Sequence, residues 1–230
     1  MATKLVVLTG AGMSAESGIR TFRDKDGWWK QYNPMELATP EAFERDPQLV
    51  LDFYNFRRKK VIEAEPNAGH LGLVDLENDF DLEIVTQNVD DLHERAGSTK
   101  VTHLHGEIRK SRSTTDPYLI YDIEGSELNL GDTCEKGNQL RPHIVWFGEA
   151  VPAFEEAVDI TRQADVFVII GTALAVYPAA GLVNYLQPNT PIFVINPDAG
   201  AQQFSSQVEI IETGAVGGLP ILKRKLRQYV

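Results

Sequence analysis

The 230 residues contain one cysteine, Cys134. That scarcity excludes an internal disulfide, which needs two thiols, and leaves no set of thiolates for a closed structural zinc site. The fold must therefore stand on its core, and a reducing cytoplasm is the expected compartment. Long apolar runs are also missing: none reaches the roughly 18 residues of a membrane span, so no membrane association is expected. The opening, Met1-Ala2-Thr3-Lys4-Leu5, runs straight into a strand-like segment, and no signal peptide is expected. Basic charge is the third shortage. Lys and Arg total 22 against 33 Asp and Glu, and the net charge of −11 repels phosphate backbones, which makes nucleic acid a poor direct ligand. The same field favours cationic partners such as lysine-bearing protein segments. Nothing in the sequence sets the oligomeric state.

Apolar residues, at 43%, are ample for a buried core. Five short β-branched runs, 5–9, 82–86, 101–104, 166–170 and 192–195, each read as a strand buried on both faces. A sixth run, 208–211, adds an edge strand. Helical periodicity covers 67–76, 154–163 and 179–186, and 219–229 reads as a closing amphipathic helix with basic residues outward. Strands alternating with helices give an α/β fold with a parallel sheet covered on both sides. Two stretches break the alternation: one after residue 18, aromatic and helical, and one from 107 to 141, polar and turn-rich. They read as insertions. Ligands of open parallel sheets sit at the carboxyl ends of the strands, so inserts springing from those ends would roof the ligand crevice.

Three clusters sit at such strand ends. The first run leads into Gly10-Ala11-Gly12-Met13-Ser14-Ala15-Glu16-Ser17-Gly18, where Gly10, Gly12 and Ala15 satisfy the GxGxx(G/A) dinucleotide pattern. Residues without side chains let backbone approach a pyrophosphate, whose charge amide N–H groups then hold. The alternative is a tight turn with no ligand. No acidic residue follows a second strand about 20 residues on, as a hydride-transferring enzyme would need for its ribose. The second run ends in Thr86-Gln87-Asn88-Val89-Asp90, polar groups for which a core has no use. The third ends in His103-Leu104-His105-Gly106; alternation sends the two histidines to opposite faces, so one alone faces the crevice. His105, at the tip and beside a glycine that leaves room for ligand, suits a general base. A structural or surface role is the alternative for either.

These motifs, with Ile19, Trp146-Phe147-Gly148-Glu149, Gly171-Thr172 and Asn196-Pro197-Asp198, resemble the sirtuin family over nearly the whole chain, most closely its short bacterial members. The resemblance implies a Rossmann-like parallel-sheet domain (1–18, 66–106 and 146–230) and a smaller domain formed by two insertions (19–65 and 107–145). It implies NAD as co-substrate and protein acyl-lysine as substrate. In that chemistry the acyl oxygen attacks the anomeric carbon of the nicotinamide ribose and nicotinamide leaves. The ribose hydroxyls, deprotonated by a base, then attack the resulting alkylimidate, giving lysine and O-acyl-ADP-ribose. Catalysis would fall to His105 and Asn88. Gly10, Ala11, Gly12, Ala15, Glu16 and Gly18 would hold the pyrophosphate side, and Gln87, Asn88, Asp90 and His105 the nicotinamide and ribose. Gly171, Thr172, Ala173, Asn196, Pro197, Asp198 and Ala215 would surround the adenosine half. Thr21, Phe22, Arg23 and Trp29 belong to a loop expected to close over the cofactor.

Val145, Trp146, Phe147 and Gly148 resemble the segment that pairs with substrate peptide by strand addition and walls the acyl-lysine tunnel; the alternative is a core aromatic strand. Tyr54 and Arg57 stand three apart, hence on one helix face, and Arg binds carboxylate bidentately. This Tyr-x-x-Arg pair resembles that of sirtuins removing succinyl and malonyl groups, with acetyl-lysine remaining a substrate. The alternative is a cationic exposed helix. The chain departs from the family in its zinc module. Where two CxxC pairs are usual it has Ser111-Arg112-Ser113-Thr114-Thr115-Asp116 and Cys134-Glu135-Lys136-Gly137, so no structural zinc and no other metal is expected. Ala173, where many relatives carry serine, is a smaller departure. An ADP-ribosyltransferase and an inactive NAD-binding module stand as alternatives to the deacylase.

Overall fold

In the computed structural model, described for residues 2–21, 33–198 and 208–230, the strands are β1 (Lys4–Thr9), β2 (Asp81–Thr86), β3 (Val101–His103), β4 (Gly106–Ser113), β5 (Ile120–Asp122), β6 (Leu140–Ile144), β7 (Val166–Ile170), β8 (Ile192–Ile195) and β9 (Val208–Ile211). Six of them form one sheet in the order β3-β2-β1-β7-β8-β9, with every neighbouring pair parallel. The order reverses between β1 and β7, which makes the carboxyl ends of those two strands the topological switch point, where open α/β sheets bind ligands.

Alternation along the central strands supplies both faces of the sheet. Leu5 and Val7 of β1 join Val166, Val168 and Ile170 of β7 in one apolar cluster. That cluster is closed by α5 (Ala68–Leu76) and α8 (Ala215–Leu226), through Leu73, Leu76, Leu219 and Leu222. Val6, Leu8, Phe167 and Ile169 point the other way and pack under α7 (Phe154–Arg162) and the 3₁₀ helix Ala179–Tyr185. Three details differ from the sequence reading. β3 is half-buried, because as an edge strand it has a neighbour on one side only. The 179–186 segment is a 3₁₀ rather than an α-helix; it is short and interrupted by Gly181. The closing α-helix starts four residues early, at Ala215. Gly217 and Gly218 are poor helix formers, but the Glu16 carboxylate accepts the Val216 N–H (2.9 Å) and holds the first turn.

β4, β5 and β6 form a separate antiparallel sheet in the order β5-β4-β6. The sequence gives little warning of it. A register shift between Gly106 and Ser111 interrupts the period-two pattern, so buried positions fall at 106 and 108, then at 111 and 113. This sheet packs on a helical segment comprising α2 (Pro34–Leu37), α3 (Pro40–Arg45) and α4 (Pro47–Glu63). Leu51, Phe53, Tyr54 and Val61 of α4 share one apolar cluster with Ile108, Ile123, Leu140, Ile144 and Trp146.

A polar staple ties the two parts together. Arg58, fully buried on α4, donates through Nε to Ile108 O (2.6 Å) and through Nη1 to Ser126 O (2.8 Å) and Asn55 Oδ1 (2.7 Å). Asn55 in turn donates to Leu128 O (3.0 Å) and accepts the Leu128 N–H (3.0 Å). Burial lowers the Arg58 pKa to about 10, which leaves it charged at neutral pH. Where paired cysteines are usual, Ser113 Oγ lies 3.3 Å from Thr115 Oγ1 and 3.5 Å from Cys134 Sγ, and Lys136 donates to Asp116 (2.8 Å). Among the described residues no three of His, Cys, Asp and Glu are grouped to hold a metal ion.

Arg58→Met leaves the buried Ile108 carbonyl and the part-buried Ser126 carbonyl without this donor, at a cost of about 3 kcal/mol. The variant is expected to melt about 6–12 °C below wild type. EDTA is expected to leave the wild-type melting curve unmoved; a drop on chelation would show that a metal shares the task.

Candidate active site

A cavity of about 980 Å3 opens at the switch point, between the carboxyl ends of the large sheet and the unit built on α4 and β4–β6. Its floor is the turn from β1 into α1 (Gly12–Ala15). A Cβ on Gly10 would lie 2.7 Å from Thr172 Cβ, and one on Gly12 would lie 2.7 Å from Gly171 Cα. Gly171 itself has φ +63°, and a Cβ there would strike the Gly12 and Met13 backbone. The Gly10 and Gly12 amides donate to Ile170 O and Gly171 O, both at 2.9 Å. These glycines therefore let the loops after β1 and β7 interlock. What they present to the cavity is a surface without side chains, not those two N–H groups, which corrects the sequence-based reason for them.

Ala11, Ala15, Glu16, Gly18 and Thr21 also line the cavity, and Asn67 anchors the loop from beneath by donating to Met13 O (2.9 Å) and Ser17 Oγ (3.0 Å). Glu16 is partly engaged already, through its bond to Val216 N–H. Ala215 is not a lining residue. Its side chain is buried in the core, where a Cβ on Gly69 would meet it, and Gly214 faces the cavity in its place. Phe22, Arg23 and Trp29 lie outside the described residues.

The wall beside the floor is polar and cross-braced. Gln87 Nε2 donates to Thr172 Oγ1 (3.0 Å), and Asn196 Nδ2 donates to Thr172 O (3.1 Å). Gln87, Thr172, Ala173, Asn196, Pro197 and Asp198 all line the cavity. Asn88, 6% exposed, donates to Ser14 Oγ (3.2 Å), while its backbone N–H is held by Thr86 Oγ1 (3.0 Å). Asp90 is 5% exposed; burial raises its pKa, against hydrogen bonds from Leu92 N–H and Ser14. Below them lie two fully buried histidines that the sequence did not single out, His70 and His93, with ring centroids 4.9 Å apart. Burial lowers the first to about 4 and the second well below the ordinary range, so both are neutral struts under the site.

His105 lines the cavity and His103 does not. His105 Nδ1 lies 3.1 Å from Gln87 O. A carbonyl only accepts, so Nδ1 carries the proton and Nε2 keeps its lone pair, the tautomer a base needs. Burial lowers the His105 pKa, with the Gln87 carbonyl opposing. His103 is also buried, but Glu94 at 2.7 Å and the Asn88 carbonyl at 2.9 Å more than offset that and raise its pKa. Gly106, taken from sequence as room for ligand, has φ +81° and a Cβ position inside the His143 carbonyl. Only glycine turns the chain there from the large sheet into β4.

Tyr54, Arg57, Val145, Trp146, Phe147 and Gly148 also line the cavity. Tyr54 is 1% exposed and accepts a hydrogen bond from Trp146 Nε1 (3.0 Å). The Arg57 guanidinium lies 5.6 Å from the Tyr54 ring centroid, and burial lowers its pKa, opposed by Tyr54 and Asp90. Residues 145–149 are not strand, since β6 ends at Ile144. The Val145 N–H goes to His105 O and the Phe147 N–H to Ala38 O, both at 2.9 Å. Sequence reasoning missed Leu49, Phe56 and Lys60, although their spacing along α4 with Phe53 and Arg57 marks one helix face. It also missed 175–178, which no pattern in the sequence marks and which the tertiary fold alone brings to the cavity.

A parallel sheet in this order, with a glycine floor at the switch point and a second unit walling the cavity, is the arrangement of a nucleotide-binding α/β protein. Residues 10–178 match the Sir2 family, and the chain belongs to it. It is 51% identical over 227 residues to an NAD-dependent protein deacylase of Bacteroides thetaiotaomicron, covering 96% of this chain and 97% of that protein. A Helicobacter pylori NAD-dependent protein deacylase is 50% identical over 222 residues, with 96% of each covered. Among solved structures, a Sir2 homologue in complex with ADP-ribose superposes with TM-score 0.91 at 41% identity, covering 99% of this chain and 93% of that one. A Sir2 homologue–NAD complex gives 0.86 at 40%, covering 99% and 90%. A Sir2 protein with a deacetylated p53 peptide and 3′-O-acetyl ADP-ribose gives 0.80 at 29%, covering 97% and 94%.

His103 and His105 should separate in an NMR titration. His105 is expected to titrate below 6.5 and His103 above it. A His105 midpoint at or above 6.5 would mean that the ring is not buried beside the Gln87 carbonyl.

Proposed function

We propose that the protein is an NAD-dependent protein-lysine deacylase, acting in the cytoplasm on acetyl-lysine and on lysine carrying short acidic acyl groups, succinyl and malonyl. The observation that carries this reading is the shared cavity. His105, in its basic tautomer, lines one cavity together with Gln87, Asn88 and Asp90 and with Tyr54 and Arg57. We read the chain as two units, 1–18, 66–106 and 146–230 against 19–65 and 107–145, with the cavity between them.

The residues fit NAD. The side-chain-free surface of Gly10 and Gly12 admits a pyrophosphate closely, and the strand-end amides and hydroxyls of Gln87, Asn88, Thr172 and Asn196 match ribose hydroxyls and a carboxamide. When bound, NAD supplies an electrophilic ribose carbon and the hydroxyls that receive the acyl group. Asn88, fixed by Ser14 and Thr86, orients the ribose. Asp90 sits beside it, its charge disfavoured by burial. His105 Nε2 takes a proton from a ribose hydroxyl, and its low pKa keeps it unprotonated at neutral pH. Nicotinamide, free lysine and O-acyl-ADP-ribose are the products.

At the acyl end, Arg57 pairs with the terminal carboxylate and Tyr54 donates to it. Tyr54 is buried and Arg57 half-buried, which strengthens a charge-assisted contact relative to water. An acetyl group carries no carboxylate for this pair to bind, so its removal depends on the pair less. Gly148 and the exposed Phe147 sit where a substrate backbone approaches.

Purified enzyme with NAD and matched peptides tests both parts. His105→Ala is expected to lower deacylation of acetyl and succinyl peptides by about 10²–10⁴-fold. Arg57→Met is expected to lower succinyl kcat/KM at least tenfold more than acetyl kcat/KM. Equal losses in the Arg57 variant would remove the acidic-acyl assignment while leaving the deacylase intact.

A further inference from the structure

Behind the acyl end of the cavity lies a chain of contacts that the proposed reaction does not itself use. Arg112 on β4 and Arg141 on β6 are register partners, two like charges set directly opposite each other. Such a pair is unfavourable unless something stands between them. Glu149 does. Its carboxylate accepts from Arg141 Nη1 and Nη2 (2.6 and 3.1 Å) and from Arg112 Nη2 (3.1 Å), and it also takes the Trp146 backbone N–H (2.8 Å). The Arg141 guanidinium lies over the Trp146 ring, 3.3 Å from its centroid. The indole is thus clamped through both its backbone and its face.

The far edge of that ring meets Tyr54. An indole N–H donates and cannot accept, so in the 3.0 Å contact the Tyr54 oxygen is the acceptor. The phenolic proton must then point elsewhere. Tyr54 is 1% exposed, and the open space beside it is the cavity it lines with Arg57. A hydroxyl that accepts one hydrogen bond also becomes a stronger donor of its own. We infer that Trp146, held by the Arg112–Glu149–Arg141 cluster, is a positioning residue for acyl specificity: it fixes Tyr54 as a hydrogen-bond donor toward the carboxylate of an acidic acyl chain. The inference rests on the acidic-acyl reading given above and adds the residue that makes Tyr54 suited to it. It also links acyl choice to the β4–β6 unit, because both arginines belong to that sheet.

Phenylalanine at 146 would preserve an aromatic wall and its contact with Phe43, whose ring lies 5.5 Å away, and would remove only the N–H and some ring area. The comparison should therefore use succinyl-lysine against butyryl-lysine, a neutral chain of similar length that meets the same wall. Trp146→Phe is expected to lower both activities, but to reduce the succinyl-to-butyryl ratio of kcat/KM by about tenfold, with the selective part appearing in the succinyl KM. Arg57→Met is run beside it. If Arg57→Met lowers the ratio and Trp146→Phe leaves it within about twofold, Trp146 is only a wall and the inference falls while the acidic-acyl reading stands. If neither variant moves the ratio, that reading fails and takes the inference with it. A second measurement does not depend on the Trp146 variant folding: in ¹⁵N-labelled enzyme the Trp146 indole proton resonance is expected to move upfield in Tyr54→Phe. An unmoved resonance would overturn the hydrogen bond on which the inference stands.

Discussion

The close approach of the loops after β1 and β7 is the constraint on which the rest of the molecule depends. Gly10, Gly12 and Gly171 leave no room between them for a single Cβ, and two amides of one loop are bound to carbonyls of the other strand's end. Because this occurs where the sheet order reverses, it joins the two halves of the parallel sheet at the point from which both sets of site residues project. Gln87, Asn88 and Asp90 follow β2 on one side, and Thr172 and Asn196 follow β7 and β8 on the other. The Gln87–Thr172 hydrogen bond spans the seam. Any widening there would separate polar groups that must contact one ligand, and a displacement of about 1 Å is enough to impair catalysis severely.

The small unit solves a different problem. Four thiolates around zinc bring their own directional bonds, and an insert without them must obtain order from packing and hydrogen bonding. Arg58 and Asn55 satisfy backbone groups of β4 and of the 126–128 segment from within an apolar cluster. Ser113, Thr115 and Cys134 form a small hydrogen-bonded cluster in the place usual for cysteine pairs. The Arg112–Glu149–Arg141 cluster extends the same logic to the edge of the cavity. Polar ties of this kind are sensitive to geometry, since each buried donor or acceptor must keep its partner.

His103 and His105 show how far environment outweighs residue type. They stand two positions apart, are both mostly buried, and shift in opposite directions. Glu94 stabilises charge on one ring, and among the described residues nothing comparable acts on the other, which is hydrogen-bonded to the Gln87 carbonyl. The buried pair His70 and His93 adds two more neutral rings beneath Ser14 and Thr9. One histidine of the group is thus biased toward the charged form, and the one that lines the cavity is biased toward the neutral form and oriented by a backbone acceptor.

Periodicity and local chemistry determined the six parallel strands, the covering helices and the strand-end positions of Gly10, Asn88, His105, Thr172 and Asn196. Those features follow from where apolar residues recur and where side chains change character, and both are local properties of a chain. The pairing of 106–113 with 140–144 was not legible, because a bulge interrupts its alternation and its partners are distant in sequence. Only the folded chain decided that Ala215 turns into the core while Gly214 faces the cavity, that Gly106 serves a turn, and that the amides of Gly10 and Gly12 bind protein. Only it decided that Trp146 touches Tyr54, 92 positions away. Such contacts depend on the relative placement of elements, which is set by packing summed over the whole molecule and carries no signature at either residue.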